Sequence, residues 1–88
     1  MNDPYEKLRE QLELQEWPNV FLFKFIVPNT SEKIALASAL FDDSAELTLR
    51  PSSKGTYMSV SAKELMMSVD SIIEKYKSAS QIEGLVAL

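Results

Sequence analysis

With 88 residues, the chain has room for one domain, whose small core buries roughly 60–70% of the surface that the unfolded chain exposes. A formal net charge of -4 argues against non-specific binding to nucleic acid or to an anionic membrane, although a local basic patch is compatible with it. The chain has no cysteine and no histidine, which excludes thiolate nucleophiles, disulfides, imidazole bases and thiolate or imidazole metal ligands, and with them Ser-His-Asp and Cys-His catalysis and zinc hydrolysis.

Hydrophobic residues make up 45% of the chain and charged residues 25%, close to the globular average, so an ordered fold is expected. No apolar run is long enough to span a bilayer, and the opening MNDPYEKLRE is polar and acidic, unlike a signal peptide or an anchor. Together with the missing cysteines, this predicts a cytoplasmic protein.

Asp3-Pro4 predicts a short helix over residues 3–16, with Asp3 as N-cap, Pro4 at the first helical position and Leu8 and Leu12 on one face. It must end before Trp17-Pro18, because a proline pushes the residue before it out of the helical region. VFLFKFIV, residues 20–27, changes to a period of two: Phe21, Phe23, Phe25 and Val27 face the core, and Val20, Leu22, Lys24 and Ile26 face the other way. Both sides are largely apolar, which is the pattern of a central strand.

Pro28-Asn29-Thr30 ends that strand. Asn29, with Glu32 three residues on, fits a capping box, and Thr30 competes for the cap. The following helix runs to about Leu40, with Ile34, Ala37, Leu40 and Phe41 at helical spacing. After the loop Asp42-Asp43-Ser44, AELTLR (45–50) alternates, with Ala45, Leu47 and Leu49 inward and Glu46, Thr48 and Arg50 outward. Beyond PSSKG, a strand from Thr56 to about Met66 turns Met58, Val60 and Ala62 inward and Tyr57, Ser59, Ser61 and Lys63 outward. The next helix starts somewhere in 64–69, with Ser68 the preferred N-cap, Asp70 suited to the helix dipole and Val69, Ile72, Ile73 and Tyr76 as the buried stripe. Ile82 to Leu88 closes the chain as a strand.

The order is one helix followed by βαββαβ. Its economical solution is an α+β ferredoxin-like plait over 17–88, a four-stranded antiparallel sheet with two helices on one face, preceded by a helical extension over 1–16. The strands of Phe21–Val27 and Thr56–Met66 take its centre.

PSSKG is first a hairpin loop: Pro51 fixes φ, Ser52 and Ser53 suit local hydrogen bonds, and Gly55 supplies a positive φ. It lacks the second glycine and the Lys-Ser/Thr pair of a phosphate-binding P-loop, and Ser53 and Lys54 are adjacent rather than at the Ser-x-x-Lys spacing of acyl transfer. Asp42, Asp43 and Glu46 do not have calcium-loop spacing, and Met66-Met67 reads as core filling.

RPSSKGTYMSVS, together with FLFKF at 21–25 and the closing apolar strand, resembles the YbeD-like family of small bacterial proteins, whose members carry P-S-S-K-G-x-Y-x-S-V-[ST] and a lysine in the first strand. Pro51, Ser52, Ser53, Lys54, Gly55, Tyr57, Ser59, Val60 and Ser61 match that motif, and Lys24 matches the lysine. The likeness spans Trp17 to Leu88. It implies a ferredoxin-like fold similar to ACT regulatory domains and a regulatory or interaction role.

On the side of the sheet away from the helices, the alternation collects Lys24, Thr48, Arg50, Tyr57, Ser59, Ser61 and Lys63, a basic, hydroxyl-rich surface on an acidic chain. The expectation is a non-catalytic regulatory or protein-interaction module without cofactor or metal. Its binding set would be Lys24, Arg50, Ser52, Ser53, Lys54, Gly55, Tyr57, Ser59, Ser61 and Lys63, taking a protein partner or a small anionic ligand. An ACT-like metabolite sensor and a small enzyme using carboxylate or lysine chemistry are the rival readings. With Tyr57 the one aromatic residue on that face, no nucleic acid is expected. No membrane association is expected either, and weak homodimerisation is, because the apolar final strand lies at a sheet edge.

Overall fold

The computed structural model describes residues 3–88. The elements in chain order are α1 (Glu6–Glu13), β1 (Asn19–Pro28), α2 (Ser31–Ser38), β2 (Glu46–Pro51), β3 (Tyr57–Met66), α3 (Val69–Ala79) and β4 (Val86–Ala87). The strands form one antiparallel sheet in the order β2-β3-β1-β4, which is the ferredoxin-like plait.

β1 and β3 pair along their whole length, from Asn19 opposite Met66 to Pro28 opposite Tyr57. This register puts Phe23, Phe25 and Val27 beside Val60 and Ala62 on the helix-covered side, where all five are fully buried. Ile72 and Ile73 of α3 and Ala37 of α2 close over them. Phe23, Phe25, Phe41 and Tyr76 form a ring cluster whose centroids lie 5.4–6.0 Å apart, within the range of favourable aromatic pairs. Burial raises the pKa of Tyr76, because the low-dielectric surroundings penalise the phenolate.

α1 lies against α3. Leu12 is buried there, Trp17 Nε1 donates to the Leu12 carbonyl at 2.8 Å, and Arg9 meets Asp70 at 2.6 Å, which raises the arginine's pKa. The helix begins later than Pro4: Asp3 Oδ1 accepts from the Tyr5 N–H, and the Glu6 N–H donates to the Asp3 carbonyl, so Asp3-Pro4 forms a turn ahead of it. Ser68 does cap α3, accepting from the Ser71 N–H while Ser71 Oγ accepts from the Ser68 N–H.

Three further expectations need correction. Thr30, not Asn29, caps α2, accepting from the Lys33 N–H at 3.2 Å. The final strand is Val86–Ala87 alone; from Ser80 the chain makes turns in which Ile82 donates to the Ala79 carbonyl and Leu85 to the Ile82 carbonyl. Ile82 reaches the core from that turn rather than from a strand. Leu47 and Leu49 point to the helix side of the sheet, opposite Ala62 and Val60, yet stay 42% and 47% exposed. β2 is an edge strand, and the helices sit over β1 and β3.

One buried ion pair ties this architecture together. Glu64, on the covered side of β3, has its Oε2 3.5 Å from Lys75 Nζ of α3, while its Oε1 accepts from the Asp42 N–H. Lys75 also donates to the Leu40 carbonyl just beyond α2 and lies 5.3 Å from the centre of the Phe41 ring. Losing one partner of a buried pair strands the other charge. Lys75→Met is therefore expected to cost roughly 3 kcal/mol. Glu64→Gln keeps an acceptor for Asp42, and the Lys75 it leaves is less buried and still bonded to the Leu40 carbonyl, so it should cost less, about 1 kcal/mol. Urea unfolding of both variants measures the losses, and a loss well under about 1 kcal/mol for Lys75→Met would show that the pair does not organise this corner.

Candidate functional site

The pairing registers make the open side of the sheet a grid. Glu46, Lys63 and Leu22 form one row across β2, β3 and β1; Thr48, Ser61 and Lys24 form the next; Arg50, Ser59 and Ile26 form the third. Val86 extends the third row beside Ile26, and the Leu88 N–H donates to the Lys24 carbonyl at the second. Tyr57, half exposed, stands at the hairpin end opposite Pro28.

The three cations sit on three different strands and rows, with hydroxyls between them. Lys24 and Lys63 are diagonal neighbours, within reach of one extended acidic group. Among the described residues none of Lys24, Arg50, Lys54 and Lys63 has an ion-pair partner within 4.0 Å; the pairs formed are Arg9–Asp70, Lys75–Glu64 and Lys77–Glu74. Glu46 is opposite Lys63 in the register without closing an ion pair.

Two open hollows give the face relief. A hollow of about 180 Å³ lies between Leu22, Glu46, Thr48, Ser61 and Lys63. A second, of about 230 Å³, lies at the hairpin end between Ile26, Arg50, Pro51, Tyr57 and Ser59. The latter is almost wholly apolar, with Arg50 among its walls.

The PSSKG hairpin is built as a closed turn. The Ser52 N–H donates to the Tyr57 carbonyl at 2.9 Å, the Tyr57 N–H donates to Ser52 Oγ at 3.1 Å, and the Gly55 N–H donates to the Ser52 carbonyl at 2.9 Å. The N–H groups of Ser52 and Gly55 are thus spent inside the turn, and Ser53 and Lys54 form its exposed tip. Asn29, expected as a helix cap, braces this loop instead: its Nδ2 donates to the Gly55 carbonyl, and its N–H to the Thr56 carbonyl. Sequence reading missed Asn29 because the turn it serves is 26 positions away. Its place after the strand-ending Pro28 is the one local sign of a bracing role.

Lys24, Thr48, Arg50, Tyr57, Ser59, Ser61 and Lys63 therefore share the open face, and Ser52, Ser53, Lys54 and Gly55 lie in the hairpin at its end. Asp42, Asp43 and Glu46 do not converge: among the described residues no three acidic side chains gather as a metal site would require. No described helix is long and apolar enough to cross a membrane.

Two glycines separate a turn from a packed contact. Gly55 has φ +72° with open space where a Cβ would stand, while at Gly84, φ +85°, a Cβ would lie 2.9 Å from Pro28 Cγ. Gly55→Ala is expected to cost about 1–2 kcal/mol from the left-handed backbone alone. Gly84→Ala should cost more, since Pro28 must also move. Chemical denaturation of the two variants tests this ordering, and the reverse ordering would refute it.

No family model, curated protein or solved structure matches this chain, so the functional reading rests on the open face and its hairpin.

Proposed function

We propose that the chain is a non-catalytic protein-interaction module of regulatory type that docks an acidic partner surface on the open face of its sheet, with the PSSKG hairpin as the rim. One observation carries this reading: Lys24, Lys63 and Arg50 share the face with Glu46 as its one strand acid, and among the described residues none of the three has an ion-pair partner, in a chain with more acidic than basic residues. Hydroxyls at Thr48, Ser59 and Ser61 supply donors between the cations, the arrangement that recognises carboxylates. The YbeD-like resemblance of RPSSKGTYMSVS, whose implied role is regulation or interaction, supports the same reading.

A second reading, a sensor of a small anionic metabolite, has its own observation: the largely apolar hollow at the hairpin end is walled in part by Arg50. That fits a carboxylate attached to a short apolar body.

Replacing Lys24 and Lys54 together by Gln should leave stability within about 1 kcal/mol, because exposed charges contribute little to folding. The same double variant should weaken capture of the native partner, most at low salt where electrostatic steering is strongest. Quantitative affinity capture from the native cell at two ionic strengths reads both. Unchanged capture of every partner by the double variant would leave the cations without a binding role and overturn the proposal.

A further inference from the structure

β2 offers an edge that the rest of the molecule does not use. Antiparallel ladders alternate between residues that bond one neighbour and residues that bond the other. The Ser52 N–H donates to the Tyr57 carbonyl, which places even-numbered β2 residues on the β3 side. The N–H and C=O groups of Leu47 and Leu49 consequently point outward, away from the sheet. Their side chains stand on the helix side, beyond the cover of α2 and α3, and remain 42% and 47% exposed. Two leucines with unpaired backbone on one edge are the feature that natural sheets usually avoid.

We propose that this edge pairs with the same edge of a second copy, β2 against β2, antiparallel about a two-fold axis at Thr48. The charges select both the occupant and the register. With Thr48 opposite Thr48 of the second copy, Leu47 lies opposite Leu49 and Glu46 lies opposite Arg50, and by symmetry each pair occurs twice. The outward groups of Leu47 and Leu49 then meet in hydrogen-bonded pairs. Glu46 and Arg50 fall in the closer, non-hydrogen-bonded positions, where cross-strand charge pairs interact best. Centring the axis on Leu47 or Leu49 keeps the backbone alternation but sets Arg50 opposite Ser44 or Thr48, and the charge match is lost.

Glu46 is available for this role, since among the described residues it makes no ion pair, and neither does Arg50. The opposite edge of the sheet is less suited. β4 covers Phe25 and Ile26, Leu88 occupies the Lys24 carbonyl, and Asn19 Oδ1 already accepts the Val20 N–H. A second copy's β1 laid there would carry its own Trp17-Pro18 towards Leu88, and Trp17 is held to α1 by its bond to the Leu12 carbonyl. Stacking two open faces would set Lys24, Lys63 and Arg50 against a surface of their own sign.

The dimer is an eight-stranded sheet with the helices of both copies on one side. Leu47 and Leu49 are covered by their symmetry mates, and Arg50 is answered by Glu46 of the second copy. Lys24 and Lys63 of each copy remain on a now continuous open face. The dimer takes Arg50 out of the docking set but leaves Lys24, Lys63 and the hairpin tip on the open face, so the docking reading can hold with it or without it.

Sedimentation equilibrium across a wide concentration range, with amide exchange at Leu47 and Leu49, tests it. The expected result is a reversible dimer in which both amides become protected as concentration rises. Glu46→Arg alone and Arg50→Glu alone each place like charges opposite one another and should weaken the dimer by about tenfold or more. The two substitutions combined restore opposite charges and should restore the dimer. Leu47→Lys with Leu49→Lys, at exposed edge positions that leave the core alone, should give a folded monomer by circular dichroism. A monomer at every concentration, or a dimer that neither charge change affects, overturns the proposal. So does a doubly charge-exchanged variant that stays monomeric while folded. Each of these results leaves the Lys24 and Lys54 experiment to judge the docking reading separately.

Discussion

The pairing of β1 with β3 is the constraint on which the rest of the molecule depends. Because side chains alternate along a strand, one register decides both faces at once. The register that seats Phe23, Phe25 and Val27 beside Val60 and Ala62 also seats Lys24 beside Ser61, and Leu22 beside Lys63. A slip of one residue would bury Lys24 and expose the phenylalanines. The composition of the open face is therefore not free to drift: whatever occupies it is held in a fixed grid by the core on the other side.

The polar groups fall into two kinds, and the distinction separates scaffold from surface. Glu64, Lys75, Asn29, Ser52, Ser68 and Ser71 are spent internally, on an ion pair, a carbonyl, a hairpin or a helix start. Among the described residues, Lys24, Lys63 and Lys54 have no ion-pair partner. Ser52 illustrates the difference inside one motif. It shares the PSSKG loop with Lys54, yet its N–H and hydroxyl oxygen close the turn, whereas Lys54 sits at the exposed tip. The motif is therefore a turn at its base and a charged tip at its end. The answer to whether it serves folding or recognition differs by residue.

What was legible in the sequence was what short range decides. The alternation of VFLFKFIV and the Ser68 cap depend on neighbours within a few residues, and both stand as read. The plait followed from element order, and the open-face residues followed from parity along each strand. What escaped depended on distant partners. Asn29 has the right chemistry for a helix cap but is claimed by a loop 26 residues away. Glu64 has no local sign of burial, because Lys75, which justifies it, belongs to another element. IEGLVAL reads as a strand by composition. Yet Gly84 at φ +85° packs against Pro28 inside a turn, leaving Val86–Ala87 as the paired remnant.

The misreading of β2 is the most instructive, because parity was right and burial was wrong. Leu47 and Leu49 face the helix side as alternation requires, but two helices over β1 and β3 cannot also cover a strand at the margin. An apolar pattern states which side of a strand prefers to leave water; it does not state which molecule supplies the cover. When the chain's own helices fall short, the cost of exposing two leucines and their outward backbone persists until another surface meets them. The charges flanking those leucines, Glu46 before and Arg50 after, would hinder most strands that approached in most registers. They favour one approach, by a strand carrying the same charges in reverse order, and β2 of a second copy is such a strand. On the proposed pairing, the same two residues that discourage other strands match the chain's own.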